Sequence, residues 1–167
     1  LKLSKGSKVA IMMPNVLQYP ICTFGILKAG LIVENVNPLY SPRELKTQLR
    51  NSQSETIIII ENFAHTLEQV ISETSIKNVI ITSAGELLGL KGHLINFVLR
   101  KIKKMVPKYN LNQTYKFSKI IEIGSTYELK EISTNIQDVA FLQYTGGTSG
   151  IVKAAMLTHK NILSNVF

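Results

Sequence analysis

Hydrophobic positions along the chain alternate between short continuous runs and longer stretches with helical spacing. The strand-like runs are VAIMM (9–13), LIVENV (31–36), ETIIII (55–60) and NVIIT (78–82). The isoleucine run within 55–60 is continuous, which is typical of a strand that is buried on both faces of a parallel sheet. The stretches between them are long enough for crossover helices. The pattern therefore predicts an α/β fold, with a mostly parallel sheet covered by helices on both sides.

The first connecting stretch carries clear signals for a helix. Ile21, Phe24 and Leu27 recur at near-helical spacing. Pro20 falls in the predicted first turn, where its missing N–H costs little, and Gly30 is placed to stop the helix. The whole apolar stretch 16–33 is also about long enough to cross a membrane, which takes roughly 17–25 apolar residues. Polar and charged interruptions, including Lys28, favour a buried helix that leads into a strand.

The next helix has the best-marked start in the chain. Ser41 can cap it, Pro42 suits its first position, and Glu44 completes a capping box. Leu45 and Leu49 lie one turn apart and predict its buried face. A further helix is expected around the apolar positions Leu67, Val70 and Ile71.

Near the end of the chain, VAFLQYT (139–145) predicts a strand that runs into the loop sequence GGTSG (146–150). VKAAMLT (152–158) predicts a second strand, and Thr158 can cap a following helix. Glycines let backbone N–H groups approach a ligand closely, and successive N–H groups form an anion site. With the nearby hydroxyls and Lys153, the loop suits a polyphosphate.

Two familiar nucleotide motifs are absent from this loop. A Walker A loop requires lysine directly after its last glycine, whereas Gly150 is followed by two apolar residues before Lys153. The dinucleotide fingerprint G-x-G-x-x-G does not fit either. From the residues alone, a plain hairpin connection between two strands remains an alternative to a phosphate site.

The basic segment, residues 90–111, interrupts the alternation of strands and helices. Its six lysines and arginines lie between Lys91 and Lys108, without any acid, and they account for most of the net charge of +8. On a helix, four apolar side chains form a stripe: Leu94, Val98, Ile102 and Met105. Such a helix either docks on the core with a solvated basic face or lies on an anionic membrane surface. Nucleic-acid binding is disfavoured, because Phe97 alone does not supply a base-stacking surface.

Composition adds two expectations. Cys22 is the only cysteine in the 167 residues, so no intrachain disulfide can form and a reducing cytoplasm is the expected location. The three histidines are scattered and have no cysteine nearby, which makes a zinc site improbable.

The order Tyr-Thr-Gly-Gly-Thr-Ser-Gly-x-x-Lys (144–153), followed by LTHKN (157–161), resembles the phosphate-loop signature of the AMP-forming acyl-CoA synthetase superfamily. The similarity covers nearly the whole chain. Residues 9–52 and 61–70 resemble the N-terminal region of bacterial long-chain fatty acid–CoA ligases. Residues 91–111 are also similar to a stretch of that subgroup, which is why fatty acids are the expected substrates.

The resemblance implies a two-step reaction. A fatty acid reacts with ATP to give acyl-adenylate and pyrophosphate, and coenzyme A then takes the acyl group and releases AMP. Mg²⁺ would offset the triphosphate charge. The implied ATP phosphate loop comprises Tyr144, Thr145, Gly146, Gly147, Thr148, Ser149, Gly150 and Lys153. No catalytic residue is expected in this chain, and the metal ligands stay unassigned.

Three loop positions depart from the superfamily's usual pattern. Val152 stands where proline is common, Ala154 where glycine is common, and Ser149 where threonine is common. Ser149 keeps the hydroxyl, and the methyl group of Ala154 is harmless unless that residue needs a positive φ. We therefore expect the loop still to bind phosphate.

The first residue is Leu1, and Phe167 falls inside a starting helix. By resemblance, we expect residues 1–167 to be a truncated N-terminal portion of the large AMP-binding domain, without the C-terminal domain and without ligase activity of its own. Two alternatives stay open. One is another adenylate-forming enzyme, either an aryl-CoA ligase or a carrier-loading adenylation domain. The other is a non-enzymatic module on the membrane surface. Peripheral contact with the inner face of the cell membrane is also compatible with the fatty acid–CoA ligase hypothesis.

Overall fold

The computed structural model describes residues 1, 3–128, 131–145 and 153–165. Within these residues the chain forms one seven-stranded sheet with strand order β5-β4-β3-β1-β2-β6-β7. The strands are β1 (Lys8–Met12), β2 (Ile32–Asn35), β3 (Thr56–Ile60), β4 (Asn78–Thr82), β5 (Thr114–Lys116), β6 (Val139–Thr145) and β7 (Lys153–Thr158). The helices are α1 (Gln18–Lys28), α2 (Pro42–Ser52), α3 (Ala64–Glu68), α4 (Gly89–Phe97), α5 (Phe117–Ser125) and α6 (His159–Leu163).

The sheet is parallel from β5 to β6, and only the β6–β7 pair at one edge is antiparallel. β1 lies between β2 and β3, so the chain moves to one side of β1 and then crosses back to the other. This arrangement confirms the α/β fold with a mostly parallel sheet. It also brings the carboxyl ends of the parallel strands to one edge, where α/β proteins commonly bind ligands.

The isoleucine run of β3 explains why the sheet is covered on both faces. Ile58 and Ile60 pack in one apolar cluster with α1 and the start of α5, whereas Ile57 and Ile59 pack in a second cluster with α2 and α3. Successive side chains of a strand point to opposite faces, so a run without polar residues needs a cover on each side. Fully burying one such side chain contributes about 1.5–3 kcal/mol.

Helix α2 begins as its sequence predicts. The Ser41 hydroxyl accepts from the Glu44 N–H at 3.4 Å, and the Glu44 carboxylate accepts from the Ser41 N–H at 2.8 Å. Pro42 occupies the first turn. Leu45 and Leu49 are fully buried, as their spacing indicates. This capping box fixes where the chain leaves β2 and enters the helix.

Helix α1 forms where expected, although two of the three apolar residues at helical spacing lie on its exposed side. Ile21 and Phe24 are exposed, Phe24 by 70%, while Cys22 and Ile26 are buried against the sheet. Gly30 ends the helix with φ +67°, the left-handed conformation that glycine adopts without strain.

Two elements have no counterpart in the predictions, namely β5 and α5. The sequence of β5, TYK, is exposed throughout and offers no apolar run. Phe117 at the start of α5 is buried in the α1 cluster and anchors the pair. Helix α3 is also shorter than expected, since a separate 3₁₀ turn covers Ile71–Glu73.

None of the helices in the described parts of the chain is both long and apolar enough to cross a membrane. Helix α1, which lies within the apolar stretch 16–33, has 11 residues. The preference for a helix that leads into a strand is confirmed, because α1 runs directly into β2.

Candidate functional site

The candidate site lies at the end of the β6–β7 hairpin. Thr145, the last residue of β6, is the direct partner of Lys153, the first residue of β7. Directly opposed residues of an antiparallel pair project from the same face, with Cβ atoms about 4.5–5.5 Å apart. Both residues are exposed. The hairpin thus presents a hydroxyl and a lysine side chain side by side at the two ends of the predicted loop, and the strand–loop–strand prediction is confirmed for its two strands.

Five predicted loop residues, Gly146, Gly147, Thr148, Ser149 and Gly150, lie outside the residues that the structure describes. Their part in phosphate binding stays a prediction. Immediately beyond β7, the predicted cap of α6 is confirmed. The Thr158 hydroxyl accepts from the Asn161 N–H at 3.2 Å, and the Asn161 side chain accepts from the Thr158 N–H at 2.9 Å.

Tyr144 lies differently from the exposed Thr145 and Lys153. Its ring is buried, and its hydroxyl donates to Asn51 Oδ1 at 2.7 Å. Burial, together with the nearby Glu34 carboxyl, raises the pKa of Tyr144 to about 12, so the phenol stays a donor at neutral pH. The side chain is thus directed towards α2, and direct contact between Tyr144 and phosphate stays a prediction.

The next residue back, Gln143, is held from the opposite face of β6. Asn35 Nδ2 donates to Gln143 Oε1 at 3.1 Å, and the Tyr19 hydroxyl donates to Asn35 Oδ1 at 2.9 Å. A cavity of about 200 Å³ adjoins this chain of polar groups, lined in part by Asn15, Asn35 and Gln143. Sequence reasoning missed this network, because its three side chains come from α1, β2 and β6.

A carboxylate is buried behind the hairpin. Glu34 in β2 is fully buried and accepts from Gln48 Nε2 at 2.8 Å and from the Ser54 hydroxyl. Burial raises the pKa of Glu34, although hydrogen bonds from Ser54 and Gln48 and the charge of Lys8 act in the opposite direction. Inside the run LIVENV, a glutamate gives no sign that it is buried.

The acidic and histidine side chains of the described residues form no metal centre. No group of three or more His, Cys, Asp or Glu side chains in that part of the chain is placed to hold a metal ion. Glu34, whose charge acts on Tyr144, is already engaged by two donors. A magnesium site made by these residues alone is therefore not a feature of the described structure.

The basic segment forms α4 and a π-helical turn, Val98–Ile102. Arg100 contacts the buried carboxylate of Glu61 with two guanidinium nitrogens, at 2.8 and 3.0 Å. The predicted apolar stripe does not dock on the core. Leu94 is 66% exposed and Ile102 is 63% exposed, and the helical part ends before Met105. Polar contacts of Arg100 and of the buried Asn96, which donates to the Ser83 hydroxyl at 2.9 Å, hold the segment instead.

A second cavity, of about 550 Å³, lies between the basic segment and the ends of β4 and β5. Its lining includes Glu61, Glu86, Arg100 and Lys116. The two acids are already engaged, Glu61 by Arg100 and Glu86 by the Thr82 hydroxyl at 2.7 Å. The cavity is thus polar and nearly balanced in charge, and it is separate from the hairpin end.

The family model for AMP-binding enzymes matches residues 1–167, the whole length of the chain. The chain belongs to the AMP-binding enzyme family. It is 52% identical over 99% of its length to a long-chain-fatty-acid–CoA ligase of Salmonella typhimurium, and 34% identical over 98% to one of Bacillus subtilis. The chain spans 30% of the Salmonella protein and 29% of the Bacillus protein.

The same fold occurs in a solved structure, that of a long-chain-fatty-acid–CoA ligase from Archaeoglobus fulgidus. The TM-score is 0.73 at 23% sequence identity, over 98% of this chain and 27% of the other. At this identity the likeness shows the fold alone. It confirms the expected sheet architecture of an adenylate-forming enzyme.

Proposed function

We propose that this chain provides the ATP phosphate-binding hairpin of a long-chain fatty acid–CoA ligase. The reaction joins a fatty acid to coenzyme A and converts ATP to AMP and pyrophosphate. The main observation behind this proposal is the pairing of Thr145 with Lys153 across the hairpin end. It places a hydroxyl and an ammonium group on either side of a glycine-rich sequence in a chain of the AMP-binding enzyme family.

The proposed role of the hairpin is to hold the β- and γ-phosphates. Backbone N–H groups of residues 146–150 would donate to phosphate oxygens, with help from the hydroxyls of Thr145, Thr148 and Ser149. Lys153 would sit against the negative charge that collects on pyrophosphate as it departs. Fixed donors and cations aimed at developing charge are the main source of catalysis in phosphoryl chemistry.

The chemistry then takes two steps. A fatty acid carboxylate oxygen attacks the α-phosphorus of ATP, and the bond to the bridging oxygen of the β-phosphate breaks, which gives acyl-adenylate and pyrophosphate. The coenzyme A thiol loses its proton and attacks the acyl carbonyl carbon, and AMP leaves. The hairpin serves the first step, because only that step involves the triphosphate.

ATP would bind as its magnesium complex, as the resemblance to the superfamily implies. The ion would neutralise part of the triphosphate charge. The described residues hold no side-chain cluster that fits the ion.

Fatty acids are the proposed substrates because of the relatives' names and the extent of the similarity. The Salmonella and Bacillus proteins are both long-chain-fatty-acid–CoA ligases, and both align along nearly the whole chain. An aryl-CoA ligase or a carrier-loading adenylation domain would use the same hairpin. These alternatives predict a different acid but the same phosphate chemistry.

The test is acid-dependent exchange of labelled pyrophosphate into ATP, measured on the protein expressed from its complete reading frame. We expect exchange with palmitate, little exchange with 4-coumarate or anthranilate, and acyl-CoA when coenzyme A is added. If only an aryl acid supports exchange, the proposed substrate is wrong, whereas the proposed adenylation reaction is supported. No exchange with any acid, in a protein that is folded by circular dichroism, would contradict the function.

A second property, peripheral membrane attachment in the cytoplasm, is favoured by the exposure of the basic segment. Leu90 is 90% exposed, and Leu94, Phe97 and Ile102 are exposed as well. Lys103 and Lys104 follow directly and have no carboxylate partner within 4 Å among the described residues. Apolar side chains beside lysines suit an anionic bilayer surface, where each lysine contributes about 1 kcal/mol.

Vesicle co-sedimentation tests this attachment. We expect binding to vesicles that contain phosphatidylglycerol and little binding to pure phosphatidylcholine. Lys103→Glu with Lys104→Glu should weaken binding about tenfold or more. Lys28→Glu with Lys160→Glu makes the same change of charge at two exposed positions outside the segment and should have little effect. Equal binding by the two double variants would contradict a role of the basic segment.

A further inference from the structure

The end of β6 extends beyond the strand that supports it. The ladder between β2 and β6 stops at the Asn35–Gln143 pair. Tyr144 and Thr145 continue past that point, and their ladder partners are in β7 alone. Since β7 is the edge strand of the sheet, no strand of the described residues pairs with these two positions on the side of the sheet centre.

Two side-chain hydrogen bonds hold the strand at this junction from opposite faces. On one face, Asn35 donates to Gln143 at 3.1 Å. On the other face, the Tyr144 hydroxyl donates to Asn51 in the last turn of α2 at 2.7 Å. Adjacent residues of a strand point to opposite faces, so the two bonds restrain different directions of movement. The bond to Asn51 is the one that joins Tyr144 to a helix.

We propose that Asn51 is a positioning residue for the phosphate-binding loop, which it aligns by holding the Tyr144 hydroxyl. This role rests on the proposed function of the hairpin. Tyr144 precedes Thr145 directly, and Thr145 faces Lys153, so a shift of the Tyr144 backbone moves both ends of the loop. Asn51 touches no phosphate in this scheme, and its effect passes through Tyr144.

The hydrogen bond between Tyr144 and Asn51 is attached to a helix that packs firmly on the sheet. Helix α2 is anchored under β2 by the fully buried Leu45 and Leu49 and by the hydrogen bond from Gln48 to Glu34. The Tyr144 ring is buried beside the same elements. A tyrosine hydroxyl bonded to a rigid helix end transmits the position of that helix to the strand. Loss of one such bond allows displacement without unfolding the sheet.

The test compares Asn51→Ala, Tyr144→Phe and the double variant in the protein from its complete reading frame. Calorimetry with a non-hydrolysable ATP analogue gives Kd, and palmitate-dependent turnover gives KM for ATP and kcat. Each single variant should raise Kd and KM for ATP about three- to tenfold, the effect of one hydrogen bond. The double variant should be no worse than either single variant, because both remove the same bond.

Two further variants separate positioning from general stability. Asn51→Asp keeps an acceptor oxygen for the phenol and should stay within about twofold of the parent in Kd. Thr47→Ala changes an exposed side chain of the same helix and should leave Kd unchanged. A lower melting temperature for Asn51→Ala with an unchanged Kd would overturn the positioning role. If the parent itself fails to bind the analogue, the proposed function fails, and the positioning role fails with it.

Discussion

Arg100 holds the Glu61 carboxylate through two guanidinium nitrogens, and these groups come from the π-helical turn and from the 3₁₀ turn that follows β3. The Glu61 side chain is 6% exposed, whereas the Arg100 side chain is 48% exposed. The positive charge of Arg100 thus compensates the buried negative charge of Glu61. This pair fastens the basic segment to the sheet, while the apolar side chains of that segment remain exposed.

Replacement of Arg100 should therefore destabilise the protein more than loss of a surface ion pair. Arg100→Ala leaves a buried carboxylate without its cation, at a cost of about 2–3 kcal/mol. Lys101→Ala, at the adjacent exposed position, should change the free energy of unfolding by less than about 0.5 kcal/mol. Urea unfolding of the two variants measures both values.

A second substitution checks the cause. Glu61→Gln removes the charge that Arg100 compensates, so Arg100→Ala should cost less in that background than in the parent. Equal costs in the two backgrounds would mean that packing of the arginine, rather than its charge, stabilises the segment.

Glu34 predicts an unusual dependence of stability on pH. Burial raises its pKa above the ordinary 4.5, so the folded protein binds the proton more tightly than the unfolded chain. The contribution of the protonated Glu34 to the free energy of unfolding is complete below pH 4.5. It is lost as the pH rises through the pKa of Glu34 in the folded protein. Glu34→Gln cannot ionise, so the variant should gain stability relative to the parent as the pH increases.

Urea unfolding of parent and variant at several pH values above 4.5 measures this difference. The amide introduced at this position also offers a donor for Gln48 Oε1, which is buried without a partner among the described residues. Glu122→Gln, at an exposed position, should follow the parent at every pH. A constant difference between Glu34→Gln and the parent would show that Glu34 does not change its protonation in this range.

The capping box of α2 should make a measurable local contribution. Ser41→Ala removes the acceptor for the Glu44 N–H and should lower the free energy of unfolding by about 1 kcal/mol. Ser72→Ala, at an exposed serine, is the control and should have little effect. If both variants unfold at the same urea concentration as the parent, the cap contributes nothing to global stability.

The parts of the fold that sequence could predict are those determined by neighbouring residues. The capping box at Ser41 and the isoleucine run of β3 depend on spacing within one element, and both are confirmed. The apolar spacing in α1 predicts a helix but not its buried side. Cys22 and Ile26 lie in the core cluster, whereas the larger Phe24 is exposed. Apolar size alone does not reveal which side of a helix meets the sheet.

The candidate site was predicted only in its local part. The two strands of the hairpin and the cap at Thr158 follow from the sequence order. The hydrogen bond between Tyr144 and Asn51 joins residues 93 positions apart, so no local sequence pattern predicts it. Likewise, the sequence around Glu34 does not predict its burial, because its partners Gln48 and Ser54 come from other parts of the chain.

ATP binding tests the central claim most directly. Calorimetry with ATP should compare the protein from its complete reading frame with a variant that carries Thr148→Ala and Lys153→Ala. The matched control, Thr126→Ala with Lys28→Ala, removes the same groups at exposed positions outside the hairpin and outside the signature sequence. We predict that the first variant loses at least about tenfold in ATP affinity, since charge-assisted contacts to phosphate are lost, while the control binds like the parent. Parent-like affinity and parent-like turnover of palmitate by the first variant would contradict the claim that this hairpin binds the phosphates of ATP.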